Sequence, residues 1–198
     1  MNNNENNGFD NLRELARMVT QYLMRAGMIL GMWFVVEYLV FVQSQSHIIF
    51  SLLHAPMMLV TPVLLFILIK KMRNVFFQTR GFRFSQVVIY SSQLMFFAGL
   101  IEAIFIYAYN QWLYPGNLLE MRDALIAQYD SLSQTITQMG STLPPSLVNT
   151  FNEARQILAE SDINRPIEVA INALSNDVFY GLIWAIPFGL ILKRRTSE

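Results

Sequence analysis

Four ionisable side chains stand where the surrounding residues give them least reason to be. Glu37 interrupts WFVVEYLVF (33–41), His54 follows FSLL, Glu102 lies in GLIEAIF, and Asp177 precedes VFYGLIW. A lone carboxylate in apolar surroundings is costly, so it must be paired, hydrogen-bonded or protonated. Glu37, His54 and Glu102 can do this for one another, with Asp177 at the same level or just beyond. Three chemistries fit. The set can relay protons, or two carboxylates and an imidazole can hold a divalent ion such as zinc with a position left open. It can also be a buried polar network that keeps helices in register.

The elements that must position these groups are membrane helices. The chain has 198 residues, 54% hydrophobic and only 14% charged, outside the soluble range. Long apolar runs predict spans at about 24–43, 48–69, 87–109 and 173–192, each near the ~20 residues that cross ~30 Å of hydrocarbon. The last is apolar only from Val178 and draws on residues 173–177 for length, so its polar end needs water or protein cover. The N-terminal segment is too polar for a cleavable signal peptide. Counted from the basic flanks at 1.5 Å per residue, Glu37, His54 and Glu102 fall at one depth, ~10 Å below the far surface of the hydrocarbon.

Basic residues set the direction. Arg13, Arg17 and Arg25 precede or open span one; Lys70, Lys71, Arg73, Arg80 and Arg83 separate spans two and three; Lys193, Arg194 and Arg195 follow span four. Both termini are expected in the cytoplasm of a multi-pass protein of the bacterial inner membrane. The QSQSH turn and the segment about 112–172 are expected outside. In that segment Leu118, Met121, Leu125, Tyr129, Leu132, Ile136 and Met139 mark one helical face, with Asn117 as its N-cap. GSTLPPS breaks the pattern, and Leu147, Phe151, Ala154 and Leu158 mark a second face. The fold class is therefore all-α: an integral membrane four-helix bundle with an extracytoplasmic αα-hairpin between spans three and four. Pro166 is placed to open a helix that runs into span four.

Faces follow from spacing. Ser51, His54, Met58 and Thr61 share one side of span two, and Ser91, Met95, Ala98, Glu102 and Tyr109 one side of span three; both stripes are expected to turn inward. Gly27 and Gly31 form a GxxxG, and Gly181, Ala185 and Gly189 repeat every four residues, so both sets are expected at close helix contacts. The loop KKMRNVFFQTRGFRF pairs its cations with Phe76, Phe77, Phe82 and Phe84, which suits the headgroup level, for lipid or a partner.

Several classes are excluded. Zero net charge and basic residues confined to span flanks argue against nucleic acid. Absence of cysteine removes disulfides and thiolate centres. There is no HExxH, GxSxG or P-loop. FSLLH resembles the FxxxH element of the intramembrane CAAX-protease superfamily, but that family's EExxxR and second histidine motif are missing. No cofactor is expected, and no metal unless at Glu37, His54 and Glu102.

The run RGFRFSQVVIYSSQLMFFAGLIEAIFIYAYNQWLYPGNLLEMRDAL, with FYGLIWAIPFGLILKRR later, resembles a family of small four-span bacterial inner-membrane proteins known only as a domain of unknown function. The resemblance covers nearly the whole chain and implies no catalytic residues. It implies an envelope role and a polyprenyl-phosphate glycosyltransferase as one candidate partner. Two functions are carried forward. The first is a non-enzymatic accessory or scaffold protein that engages lipid and a membrane partner or a second copy. The alternative is a small proton- or ion-coupled transporter using the Glu-His-Glu cluster.

Overall fold

Apolar sequence that must satisfy its own backbone in lipid has helix as its only open-chain solution, and every regular element found is helical. A computed structural model describes residues 3–45, 47–78, 81–138, 145–160 and 165–193, and the side chains within them except at 3–12, 135–138, 145–148, 151, 152, 158 and 160. The elements are α1 (Asn3–Ser44), α2 (Ile48–Phe76), α3 (Phe84–Ala108) continued by a π-helical turn (Tyr109–Leu113), α4 (Asn117–Gln138), α5 (Pro145–Glu160) and α6 (Pro166–Leu192). Four stretches are long and apolar enough to cross a membrane: Arg13–Ser44, Ile48–Phe76, Phe84–Leu113 and Pro166–Leu192. By length and composition the chain is a multi-pass membrane protein. Each stretch has at least 27 residues, more than a perpendicular crossing needs, so the helices tilt or project beyond the hydrocarbon. Pro166 opens α6, where its fixed φ suits the first turn and no N–H is missed.

α3 is the central helix. It packs most extensively on α6 and next on α1, while α2 is held mainly by α1. Small residues let these backbones approach. A Cβ on Gly27 would stand 2.5 Å from Phe97 Cβ, and one on Gly31 2.8 Å from the Ala98 carbonyl, so the GxxxG faces α3. Gly181 lies against Met95 and Gly189 against Phe84, with Ala185 fully buried between them.

The basic end of the bundle is closed. Tyr22 donates to the Leu68 carbonyl at 3.0 Å. Arg73 reaches the Leu192 carbonyl at 3.5 Å and also holds Asn74, while Lys70, Lys71 and Arg83 are exposed and Arg80 lies outside the described residues, as do Arg194 and Arg195. Two of the loop phenylalanines are not exposed for lipid or a partner. Phe77 and Phe82 are buried, packed on each other with ring centroids 5.1 Å apart and on Tyr90, so their rings join the core at this end of the bundle.

The other end is looser. α2 is held mainly by α1, and Ser51 is exposed rather than turned inward; Met58 is half-exposed, and Thr61 is the member of that stripe that is buried. The α3 stripe does face inward, with Ser91, Met95 and Ala98 fully buried. α4 buries Leu118, half-buries Met121, Leu125 and Tyr129, and exposes Leu132. It meets α5 through Arg155 on Asp130, N···O 2.8 Å. Residues 139–144 of the expected turn, and the side chains of Ile136, Leu147, Phe151 and Leu158, lie outside the described residues. Asn117 does not cap α4. Its buried amide points into the bundle instead, since a short amide side chain satisfies a buried network as readily as a helix end.

Candidate functional site

The four ionisable groups come together. A cavity of about 260 Å³ lies among the four spans, open on one side. From α1 it is lined by Phe34, Glu37, Tyr38 and Phe41, and from α2 by His54, Met58 and Thr61. α3 contributes Glu102, and α6 contributes Asn176, Asp177 and Tyr180. Helical rise had placed three of these groups at one depth, and packing now supplies the azimuth that brings Asp177 in with them. Each of the four is half-buried.

Each carboxyl has a different setting. Glu37 Oε2 accepts a hydrogen bond from Thr61 Oγ1 at 3.0 Å, and the same oxygen of Thr61 accepts one from Trp33 Nε1 at 3.0 Å. Trp33 and Glu37 are four residues apart on α1, so one helix face presents both to α2. This chain answers part of the cost of burying Glu37, and its other neighbour across the cavity is His54. The imidazole packs on the Phe41 ring with centroids 5.2 Å apart.

Glu102 and Asp177 adjoin one another across the α3–α6 contact, with Glu37 within electrostatic reach of both. Asp177 Oδ2 is enclosed and has no hydrogen-bond partner among the described residues. Its place is made by Gly99, where a Cβ would stand 2.6 Å from that oxygen. Gly99 and Glu102 are three residues apart on one face of α3. The α3 glycine thus seats the α6 acid beside the α3 acid.

The four groups share a cavity without closing on a common point. Among the described residues no three His, Asp or Glu side chains are placed to hold a metal ion, and no hydrogen bond joins His54 to a carboxyl. His47 stays apart, exposed at the start of α2.

Above the cavity a second network ties the loose end together. Asn110, buried in the π-helical turn, donates to Tyr38 Oη at 2.8 Å and to the Ile106 carbonyl at 2.7 Å. Asn117 donates to Asn110 Oδ1 at 2.8 Å and lies 3.3 Å from Tyr38 Oη and Met121 Sδ. Tyr38 therefore belongs to both the cavity wall and the network that anchors α4. Just past the span, the Tyr114 hydroxyl donates to Glu120, and that carboxylate holds the Tyr114 phenol above the usual tyrosine range.

Sequence reasoning missed Trp33, Gly99 and the Tyr38–Asn110–Asn117 set. The signals were present as i,i+4 and i,i+3 partners of the two glutamates, and as an amide inside the aromatic run YAYNQWLY.

The family model described as "Protein of unknown function (DUF4199)" matches residues 24–194. No curated protein and no solved structure matches the chain.

Proposed function

We propose, for a chain that belongs to this family of unknown function, a role in small-scale membrane transport: a proton- or cation-coupled carrier whose working site is the carboxyl-lined cavity. One observation carries the reading. Three spans each direct a carboxyl, and the fourth an imidazole, into the same open cavity, and a network serving only helix register would close on itself instead. Two acids that adjoin, such as Glu102 and Asp177, cannot both carry charge at little cost, so the pair is a place to hold a proton or a cation. The test is flux. Protein in liposomes with an imposed pH gradient should acidify or alkalinise the lumen, and Glu37→Gln or Glu102→Gln should abolish this while the bundle still purifies as a folded species. Flux equal to that of empty liposomes would sink the reading.

The bacterial inner membrane, cytoplasmic termini and an outer helical pair α4–α5 belong to the same proposal, supported by Lys70, Lys71, Arg83 and Lys193 at one end of the bundle. Since the chain lacks cysteine, single cysteines at Ser133 and Asn74 in intact cells report sidedness without background. Labelling of Asn74→Cys but not Ser133→Cys by an impermeant reagent would reverse the orientation.

An accessory role has its own support. Leu119, Leu132 and Ile157 are exposed on α4 and α5, a surface suited to a membrane partner, whether a polyprenyl-phosphate glycosyltransferase or a second copy. A stoichiometric partner co-purified in mild detergent, lost on Leu132→Ser, would favour it.

A further inference from the structure

We propose that the cavity binds a lipophilic organic cation that arrives sideways from the bilayer, passing between α2 and α6. This names the substrate class of the site just described and rests on the cation-coupled reading.

Access comes first. α2 and α6 meet little, though both contribute residues to the cavity wall. They touch at the closed end, where the Phe66 and Phe188 rings lie 5.2 Å apart and Arg73 reaches the Leu192 carbonyl. Farther along, α2 turns Leu53 and Met58 to its surroundings and α6 turns Phe179 and Ile183. Met58 lines the cavity, Leu53 and Phe179 adjoin its lining residues His54 and Tyr180 in sequence, and Ile183 follows Tyr180 by one turn, all within the spans. A mouth of this kind admits a solute already dissolved in lipid and repels a hydrated ion.

Charge comes second. Glu37, Glu102 and Asp177 line the cavity, and His54 is the one side chain in its lining that can carry positive charge. An anion entering there would meet three acids. No Lys or Arg stands in the lining to offset Asp177 or the two glutamates. A cationic ligand supplies that charge.

The walls decide the kind of cation. No three acidic or imidazole groups are placed around a metal ion among the described residues. Instead the rings of Phe34, Tyr38, Phe41 and Tyr180 surround the acids. Aromatic faces beside carboxylates recognise alkylated ammonium groups, which are too poorly hydrated to lose much on leaving water. A headgroup in a cavity of about 260 Å³ with its tail left between α2 and α6 fits both the volume and the apolar mouth.

The experiment uses the full chain in nanodiscs of zwitterionic lipid and three probes: octyltrimethylammonium, octyl sulfate and tetramethylammonium. The expected result is saturable binding of one octyltrimethylammonium per chain, weakened at least about tenfold by Glu102→Gln and by Asp177→Asn. Octyl sulfate should show partition into lipid alone, and tetramethylammonium should not compete. Met58→Trp, which fills the α2 wall and leaves every acid in place, should abolish binding in a protein that still melts cooperatively. Non-saturable uptake of all three probes, or equal saturation by octyl sulfate, would overturn the inference. Competition by tetramethylammonium at similar concentration would also overturn it, by showing access from water. Proton uptake by the same nanodiscs is read separately. Uptake without octyltrimethylammonium binding removes the lipophilic cation and keeps the proton site, whereas binding without proton release keeps the ligand and removes the coupling.

Discussion

Gly99 and Gly181 offer a matched pair of perturbations on the same helix contact. Both lie between α3 and α6, and a Cβ on either would stand 2.6 Å from its nearest neighbour. That is about 0.8 Å short of ordinary van der Waals contact. At Gly181 the obstructing atoms are Cγ and Cβ of Met95, an apolar side chain at its root; at Gly99 they are Oδ2 and Cβ of Asp177, backed by Leu174. Overpacking costs about 1–3 kcal/mol, and Ala in place of Gly inside a helix returns about 0.5–1 kcal/mol. Each Gly→Ala variant should therefore lose roughly 0–2.5 kcal/mol, and the two losses should be similar. Their effects on the site should not be. Gly181→Ala presses on apolar atoms of Met95 and touches no acid, whereas Gly99→Ala sets its Cβ against the Asp177 carboxyl and drives it from its seat beside Glu102. The assay is proton uptake by purified protein on a pH step, with the infrared carboxyl band as a second readout, beside an unfolding curve for each variant. Gly99→Ala should lose most of the uptake that Asp177→Asn loses, and Gly181→Ala should match wild type. Equal uptake in both alanine variants would refute the argument that Gly99 seats Asp177 for proton exchange. Equal loss in both would reduce it to general packing.

Three other outcomes follow from the geometry. Thr61→Val leaves Trp33 Nε1 and Glu37 Oε2 without their shared partner, so it should destabilise by about 1–2 kcal/mol in unfolding assays and slow pH-driven flux, while Thr61→Ser should restore both; a Val variant as stable and active as wild type removes the relay from the site. Asn110→Leu strips the partner from Tyr38 and Asn117, and limited proteolysis should then cut within α4 at least about threefold faster, an increase that Tyr109→Phe should not show. At Tyr114 the neutral phenol is the form that Glu120 stabilises, so this contribution is complete below the ordinary tyrosine value and is lost as pH rises through the raised one. Ultraviolet titration should show one tyrosine ionising earlier in Glu120→Gln than in wild type, and an unchanged curve would contradict the contact.

The four spans were legible because lipid imposes one rule on length and composition, which three runs meet outright and the fourth meets by drawing on residues 173–177. Depth was legible for the same reason: rise per residue is constant, so Glu37, His54 and Glu102 could be levelled by counting. Azimuth is different. It depends on which helix contacts which, and the α2 stripe shows why pattern alone falls short. Ser51, His54, Met58 and Thr61 have the right spacing for one face, yet α2 is held mainly by α1, so the face is divided between cavity, lipid and core. The aromatic loop divides for a related reason. Phenylalanine beside lysine and arginine is the composition of a headgroup segment and equally of a core edge, and only the packing that buries Phe77 and Phe82 separates those two rings from the rest. Asn117 fell to the same ambiguity, since one amide can cap a helix or close a network. Gly99 was overlooked although the rule that finds it is simple. A glycine one turn from a buried acid, on the same helix face, leaves room for the side chain of a facing helix, and in a membrane the group worth admitting there is another polar one. By that rule the segment GLIE marks a place where α3 receives Asp177. The close α3–α6 approach and the paired acids are then one feature, and changing the glycine must disturb the chemistry before it disturbs the fold.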